Sequence, residues 1–405
     1  MTTIHIQDDR SARSDAEALE FVGKHLQLDI IQEILDGGSS ARVWLATNAA
    51  GERFAVKTVL ALEGVVDGHD LDSFRQKVTQ IETIRAKAPS LGTHYLPVLH
   101  NIEGTNWACQ TTPFYPSRDQ AAPLRQADGE TTFFAQYDAY ARVMFLRGYG
   151  VTSVAAPPDY VERVVVGRFL RRLPMLTRAL PEDLAAETLV VNGRSCLAPG
   201  VLLPRLLRQS ASRLDAMAPA RLGFCAHGDA NTRNILIGEG ADFRAIDPRG
   251  STDAWDPIYD LAKTLFCLTV WDPALRLGFA IQRSGNATLP HYEVGFRQPL
   301  YPGYRTAIQQ FLPFIAGQLW LTSLLADDFG WRARLLLTHD MHVLAEAPCR
   351  LSDRKPKWGC DGAPSSPEQL ALGFYLMGTL LINELAGQLA ESGDLDDDRH
   401  LSLMV

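Results

Sequence analysis

Two periodicities divide the chain. Up to about residue 112 apolar positions alternate with polar ones in short runs, and beyond residue 133 they recur every three or four residues in long ones. Alternation is the mark of half-buried strands, and a spacing of three to four is the mark of amphipathic helices. After a polar start, residues 15–27 are helix-like. Strands are predicted over 28–35, 41–47 and 53–60, broken by Asp36-Gly37-Gly38-Ser39-Ser40 and by the turn Asn48-Ala-Ala-Gly51. A helix follows over 71–88, with Leu71, Phe74, Val78 and Ile81 on one stripe, and then two strand-like runs, 95–101 and 106–111. Later helices are predicted over 134–147, 159–173, 204–217, 307–327, 331–345 and 367–391, with a loop-rich stretch at 283–304.

Composition narrows the class. An apolar fraction of 46% and a charged fraction of 21% are those of a globular protein with a sizeable core. The net charge of −8, with no basic stripe and no zinc-finger spacing, argues against nucleic acid as a partner and suits a cationic acceptor. The six cysteines form no Cys-x-x-Cys pair, and the N-terminus has no signal-peptide pattern, so a reducing, cytoplasmic setting is expected. The apolar run 370–382 is too short to span a bilayer, so a core helix is predicted and no membrane partner.

The chemistry concentrates in Phe224-Cys-Ala-His-Gly-Asp-Ala-Asn-Thr-Arg-Asn-Ile-Leu-Ile237 and Arg244-Ala-Ile-Asp-Pro-Arg-Gly250. A carboxylate (Asp229), an amide five residues on (Asn234), an apolar triplet and a second carboxylate (Asp247) make the layout of a phosphoryl-transfer loop. One acid receives a hydroxyl proton, while an amide oxygen and the other acid hold Mg²⁺ on nucleotide phosphates. Oxygen ligands in small number suit Mg²⁺, which keeps waters and is completed by the phosphates. His227 is expected to brace the loop, and Gly228 to permit the turn beside it.

Upstream, Phe54-Ala-Val-Lys-Thr-Val59 puts Ala55, Lys57 and Val59 on one strand face, small residue beside ammonium, as adenine above phosphates requires. Gly37, Gly38, Ser39 and Ser40 form a candidate lid whose amides and hydroxyls would donate to phosphate oxygens. The backbone from Gln110 through Thr112 to Phe114 is a candidate for hydrogen bonds to adenine, with 113–118 as a hinge stiffened by prolines.

The His227-Gly-Asp229-x4-Asn234 … Ile246-Asp247 pattern resembles the aminoglycoside phosphotransferase branch of the kinase-like superfamily. The resemblance covers roughly residues 28–270. It implies an α+β, bilobal protein-kinase-like fold, with a small antiparallel β-sheet N-lobe (1–112), the hinge (113–118) and a mainly helical C-lobe (119–405). It implies ATP, with GTP open, and Mg²⁺ as cofactors, and a small-molecule hydroxyl acceptor, a sugar or cationic amino sugar. It also implies a helix glutamate that pairs with the strand lysine; Glu82 is the choice, against a surface pair with Arg85 or Lys77. Asp256-Pro-Ile-Tyr-Asp260-Leu-Ala is similar to the helix start that follows the metal carboxylate in this family, with Asp256 as its cap. In place of Gly or Trp-x-Gly after that carboxylate, this chain has Pro248-Arg249-Gly250. Asp327, Asp328, Asp340 and Glu384 are candidates for gripping a polar or cationic acceptor. The rival readings are a protein kinase, disfavoured because no Lys stands two residues after Asp229 and no Ala-Pro-Glu follows Asp247, and a nucleotide-binding pseudoenzyme.

Overall fold

A computed structural model describes residues 3–34, 41–61, 70–209, 211–353, 357–391 and 395–404. The chain forms two compact units. The first comprises residues 1–120, 136–151 and 225–253; the second comprises 121–135, 152–224 and 254–405. The segment bearing Asp229 and Asp247 therefore belongs with the N-terminal sheet, where the sequence reading assigned it to the helical C-lobe.

The first unit is built on a six-stranded sheet. Its strands are β1 (Ile4–Gln7), β2 (Asp29–Ile34), β3 (Arg42–Thr47), β4 (Arg53–Leu60), β5 (His100–Glu103) and β6 (Trp107–Pro113), in the order β1-β5-β6-β4-β3-β2. All neighbours are antiparallel except β1 and β5. The β3–β4 hairpin closes where Asn48 Oδ1 accepts from the amides of Ala50 and Glu52, each at 3.0 Å, and Gly51 takes a positive φ of 80°. The parallel edge strand β1 lies in the N-terminal stretch that carries no strand signal in the sequence. Conversely, the expected strand over 95–101 begins only at His100.

Helix α1 (Asp15–Leu26), capped by Ser14, lays Ala18, Leu19 and Val22 on one face of the sheet. There they meet Ala46, Val56, Leu60, Ile102, Trp107 and Cys109. Helix α2 (Leu71–Lys87), capped by Asp70 accepting from Ser73 N at 2.7 Å, sets Phe74 against Val59 and Ala108. The strand period of two thus sends Val56 and Leu60 toward α1 and Val59 toward α2. Lys57 shares the face of Val59, and its Nζ lies 5.8 Å from the Phe74 ring centre.

The second unit is mainly helical. Its longest helices are Trp331–Leu351 and Pro367–Glu391, packed on each other. Pro367–Glu391 is long and apolar enough by composition to cross a membrane, but 78% of its apolar window is buried inside the protein, as a core helix requires. The stretch expected to be loop-rich instead forms a hairpin, Phe279–Asn286 with Leu289–Phe296, which joins strands 188–191 and 194–197 in a four-stranded sheet. Arg172 is buried beside Cys349 Sγ, and Arg168 Nη1 donates to Tyr259 Oη at 2.6 Å.

Candidate active site

Three short connections in the first unit bring the polar residues together. Residues 235–237 pair antiparallel with 243–245 on one side and with 118–119 on the other. This places Asn234 and Asp247 at the same end of a tight ladder. Just upstream of β5, the backbone of His94 and Leu96 exchanges hydrogen bonds with Ala245, two residues before Asp247. The Tyr95 hydroxyl donates to the carbonyl of Ala226, so the tripeptide His94-Tyr95-Leu96 holds both loops.

Within the loop the imidazole of His227 is fully buried. Its Nδ1 accepts the Asp229 amide at 3.2 Å, and its Nε2 lies 3.1 Å from the Ile246 carbonyl. An amide can only donate and a carbonyl can only accept, so the ring carries its proton on Nε2 and is a neutral brace. Gly228 takes a φ of +77°, and a Cβ there would stand 2.9 Å from Arg249 Cβ. Glycine is required at this position by backbone conformation and by close approach together. Asp247 has a φ of +54°, unusual outside glycine, so the second carboxylate is aimed by a strained backbone.

The Asn234 side chain links the two acids. Its Nδ2 donates to the carbonyl oxygens of Asp229 at 3.0 Å and Asp247 at 3.3 Å. Two carbonyls facing that atom fix the amide orientation, because an oxygen there would be repelled. Among the described residues no hydrogen bond reaches Asn234 Oδ1. Asp247 Oδ1 receives Lys57 Nζ and Lys77 Nζ, each at 2.7 Å, while Oδ2 has no described partner. One amide oxygen and one carboxylate oxygen, both unspent, are the donor chemistry that a hard divalent ion takes. Burial pushes the Asp247 carboxyl upward, yet the two lysine charges and their hydrogen bonds outweigh it and hold the group well below the usual carboxylate range. Burial also pushes the Lys57 ammonium downward, opposed by Asp247.

The remaining sequence-predicted residues divide. Ala55 and Thr112 face each other across β4 and β6, next to the Lys57–Gln110 pair. Gln110 lies inside the sheet between β4 and β5, and its side chain donates to the Phe74 carbonyl at 3.0 Å; the Phe114 amide donates to Arg53 O at 2.9 Å. The Gln110 side-chain amide and the Phe114 backbone amide, both in the stretch expected to serve adenine, thus already have partners within the unit. Gly37, Gly38, Ser39 and Ser40 lie outside the described residues. Glu82 does not meet Lys57: it is half-exposed and contacts His5 Nε2 at 3.4 Å.

Two residues of α2 that sequence reasoning passed over stand in the site. Lys77 is one. Gln80, fully buried, is the other: its Oε1 accepts from the amides of Gly250 at 2.7 Å and Ser251 at 2.9 Å, while its Nε2 donates to the carbonyls of Cys225 and His227, each at 3.3 Å. It ties the Asp229 loop to the Asp247 loop.

The phosphotransferase enzyme family (APH) matches residues 31–294, well over half of the chain. The chain belongs to that family. No curated protein sequence matches it. Among solved structures it is similar to an aminoglycoside-3′-phosphotransferase of type VIII, with 18% identity, 63% of this chain and 85% of that one covered, and a TM-score of 0.40. A glucosamine kinase gives 14%, 89%, 94% and 0.42 for the same quantities. The amicoumacin kinase hAmiN, in complex with AMP-PNP, Ca²⁺ and Ami, gives 12%, 91%, 93% and 0.48. Membership rests on the family match, and with it a phosphotransferase activity.

Three of the four acids nominated for an acceptor have partners within the second unit. Asp328 pairs with buried Arg334 at 3.0 Å, and Arg334 also holds Asp256 at 2.7 Å. Asp256 also accepts from Ile258 N at 3.1 Å, at the start of the helix Ile258–Phe266. Asp340 is buried between His339 and His400, and Glu384 binds Arg194 and Arg399, each at 2.6 Å. Committed carboxylates of this kind support the fold. Asp327 alone of the four is exposed.

Proposed function

We propose that this phosphotransferase moves the γ-phosphoryl group of ATP to a hydroxyl of a small molecule, of the sugar, aminocyclitol or amino-sugar class. The observation that carries the reading is the clamp of the Asn234 amide between the carbonyls of Asp229 and Asp247, with Lys57 on the Asp247 carboxylate. A proton acceptor, a metal-ligand pair and a phosphate-directed ammonium thus lie within a few ångströms of one another. Phosphoryl transfer needs that set and little more, because its catalysis is positioning and charge stabilisation.

In this reading Ala55 and Thr112 support the base end of the nucleotide, and Lys57 meets its phosphates. Asn234 Oδ1 and Asp247 Oδ2 would hold Mg²⁺, which would neutralise charge on the phosphate oxygens. Asp229, partly exposed, orients the acceptor hydroxyl and takes its proton as the new O–P bond forms and the bond to ADP breaks. His227 keeps Asp229 in register through the backbone amide and takes no proton.

The test is ADP release measured against a panel of sugars, amino sugars and amino-sugar antibiotics. Once an acceptor is found, Asp229→Ala should lower turnover by about 10²- to 10⁴-fold while AMP-PNP binding stays within about threefold. A fully active Asp229→Ala protein would sink the assignment.

A further inference from the structure

Helix α2 presents a cation to the site at the place where a carboxylate was anticipated. Glu82 turns to His5, and Lys77 reaches Asp247 Oδ1 at 2.7 Å, the same oxygen that Lys57 holds at 2.7 Å. An anionic oxygen has room for two donors, so both ammoniums converge on Asp247, and the Asp229 carboxylate acts on Lys57 as well. The Lys77 side chain is 13% exposed, so bulk water competes little for its ammonium. An ammonium has three N–H donors, and among the described residues Lys77 uses its own on Asp247 alone. Two converging ammoniums, one with unspent donors, next to a metal-ligand carboxylate are complementary to a polyanion.

We propose that Lys77 is a second phosphate-binding residue, which shares the nucleotide triphosphate with Lys57. The inference rests on the nucleotide reading given above and adds to it a group that no family pattern supplied. With no nucleotide, both lysines rest on Asp247, and Asp229 adds its charge to Lys57. Once that carboxylate serves a divalent ion, the ammoniums lose part of their counter-charge, and phosphate oxygens replace it. The flexible four-carbon stem lets Nζ move while α2 stays in place. The opposing possibility is a pin: Lys77 does no more than fasten α2 to the Asp247 loop.

Calorimetric titration of the full chain with AMP-PNP, with and without Mg²⁺ and at two ionic strengths, separates the two. Wild type, Lys57→Met, Lys77→Met and Lys77→Arg are compared. Lys77→Met should weaken AMP-PNP binding by about tenfold or more at low salt and flatten the salt dependence, since a charge-assisted hydrogen bond is lost. Lys77→Arg, which keeps charge and donors, should recover most of the affinity. A Lys77→Met protein with wild-type affinity and salt dependence overturns the inference, even if it melts earlier, and tighter binding overturns it equally. A wild-type chain that takes up no nucleotide, while its melting curve shows it folded, brings down the nucleotide reading itself and this inference with it.

Discussion

Gln80 Oε1 accepts the Gly250 amide at 2.7 Å, across 170 residues of chain, and through this bond a helix of the N-terminal unit sets the loop that follows the second carboxylate. The same side chain donates to the carbonyls of Cys225 and His227. Gln80→Leu would leave two amides and two carbonyls short of a partner in a largely buried place, and should cost about 2–4 kcal/mol of stability. Gln80→Glu keeps the acceptor for Gly250 and Ser251 but loses both donors, so it should fall between wild type and leucine. Urea unfolding of the three proteins gives the order; equal midpoints would show that the loops hold without the glutamine.

Glu82 supplies the opposite kind of test. Its carboxylate is half-exposed and pairs with an exposed His5 at 3.4 Å. Exposed pairs of this type contribute little. Glu82→Gln should leave turnover within about twofold and stability within about 0.5 kcal/mol. A loss of two orders of magnitude in turnover would mean that Glu82 swings to Lys57 in the working state.

How far the sequence showed the site follows from these two residues. The His227-Gly-Asp229-x4-Asn234 and Ile246-Asp247 spacings are local, and the short ladder between them leaves little freedom, so the loop was legible. The face of Lys57 was legible too, because a strand period of two admits only two answers. The partner from α2 was not. An apolar helix stripe has two edges, with Glu82 along one and Lys77 and Gln80, at i and i+3, along the other. Nothing in the helix itself says which edge turns to the strand. Other misses had available signals: Asn192-Gly193, both at positive φ, is the hairpin turn between strands 188–191 and 194–197. Alternation at Phe279 and Ile281, then at Tyr292, Val294 and Phe296, marks a second hairpin. Edge strand β1 had no signal, since four mostly exposed residues carry little pattern.

Gly228 should tolerate no side chain. Its φ is +77°, and an added Cβ would lie 2.9 Å from Arg249 Cβ and 3.3 Å from Cys225 Sγ. Gly228→Ala forces either the loop backbone or the Arg249 stem to move, and should cost about 1–3 kcal/mol. Because the displaced atoms adjoin Asp229, turnover should fall more than nucleotide affinity does. A variant with unchanged melting and unchanged turnover would show that the loop relaxes freely.

The C-terminal end of the chain should respond to pH through His400. His400 Nε2 lies 2.9 Å from Asp340 Oδ1, both groups being fully buried, which ties helix Asp397–Leu401 to helix Trp331–Leu351. Burial pushes the His400 imidazole down, but Asp340, joined by Glu384 and Asp397, outweighs it and raises the pKa above its ordinary value of 6.5. Burial likewise pushes Asp340 up, and the two histidines beside it hold the carboxyl below its ordinary range. A raised histidine stabilises fully below its unfolded pKa, and that contribution fades as pH climbs through the higher folded value. A depressed carboxylate stabilises above its unfolded pKa of about 4 and loses the contribution as pH falls through the folded value. The pair should therefore be strongest between those limits, and wild-type melting should decline as pH rises from 6 to 9. His400→Gln removes the titrating partner, so its melting should be lower at pH 6 and flatter across the range, the two curves approaching each other at the alkaline end. Parallel curves from pH 6 to 9 would show that His400 is neutral in the folded protein and that Asp340 draws its counter-charge from elsewhere.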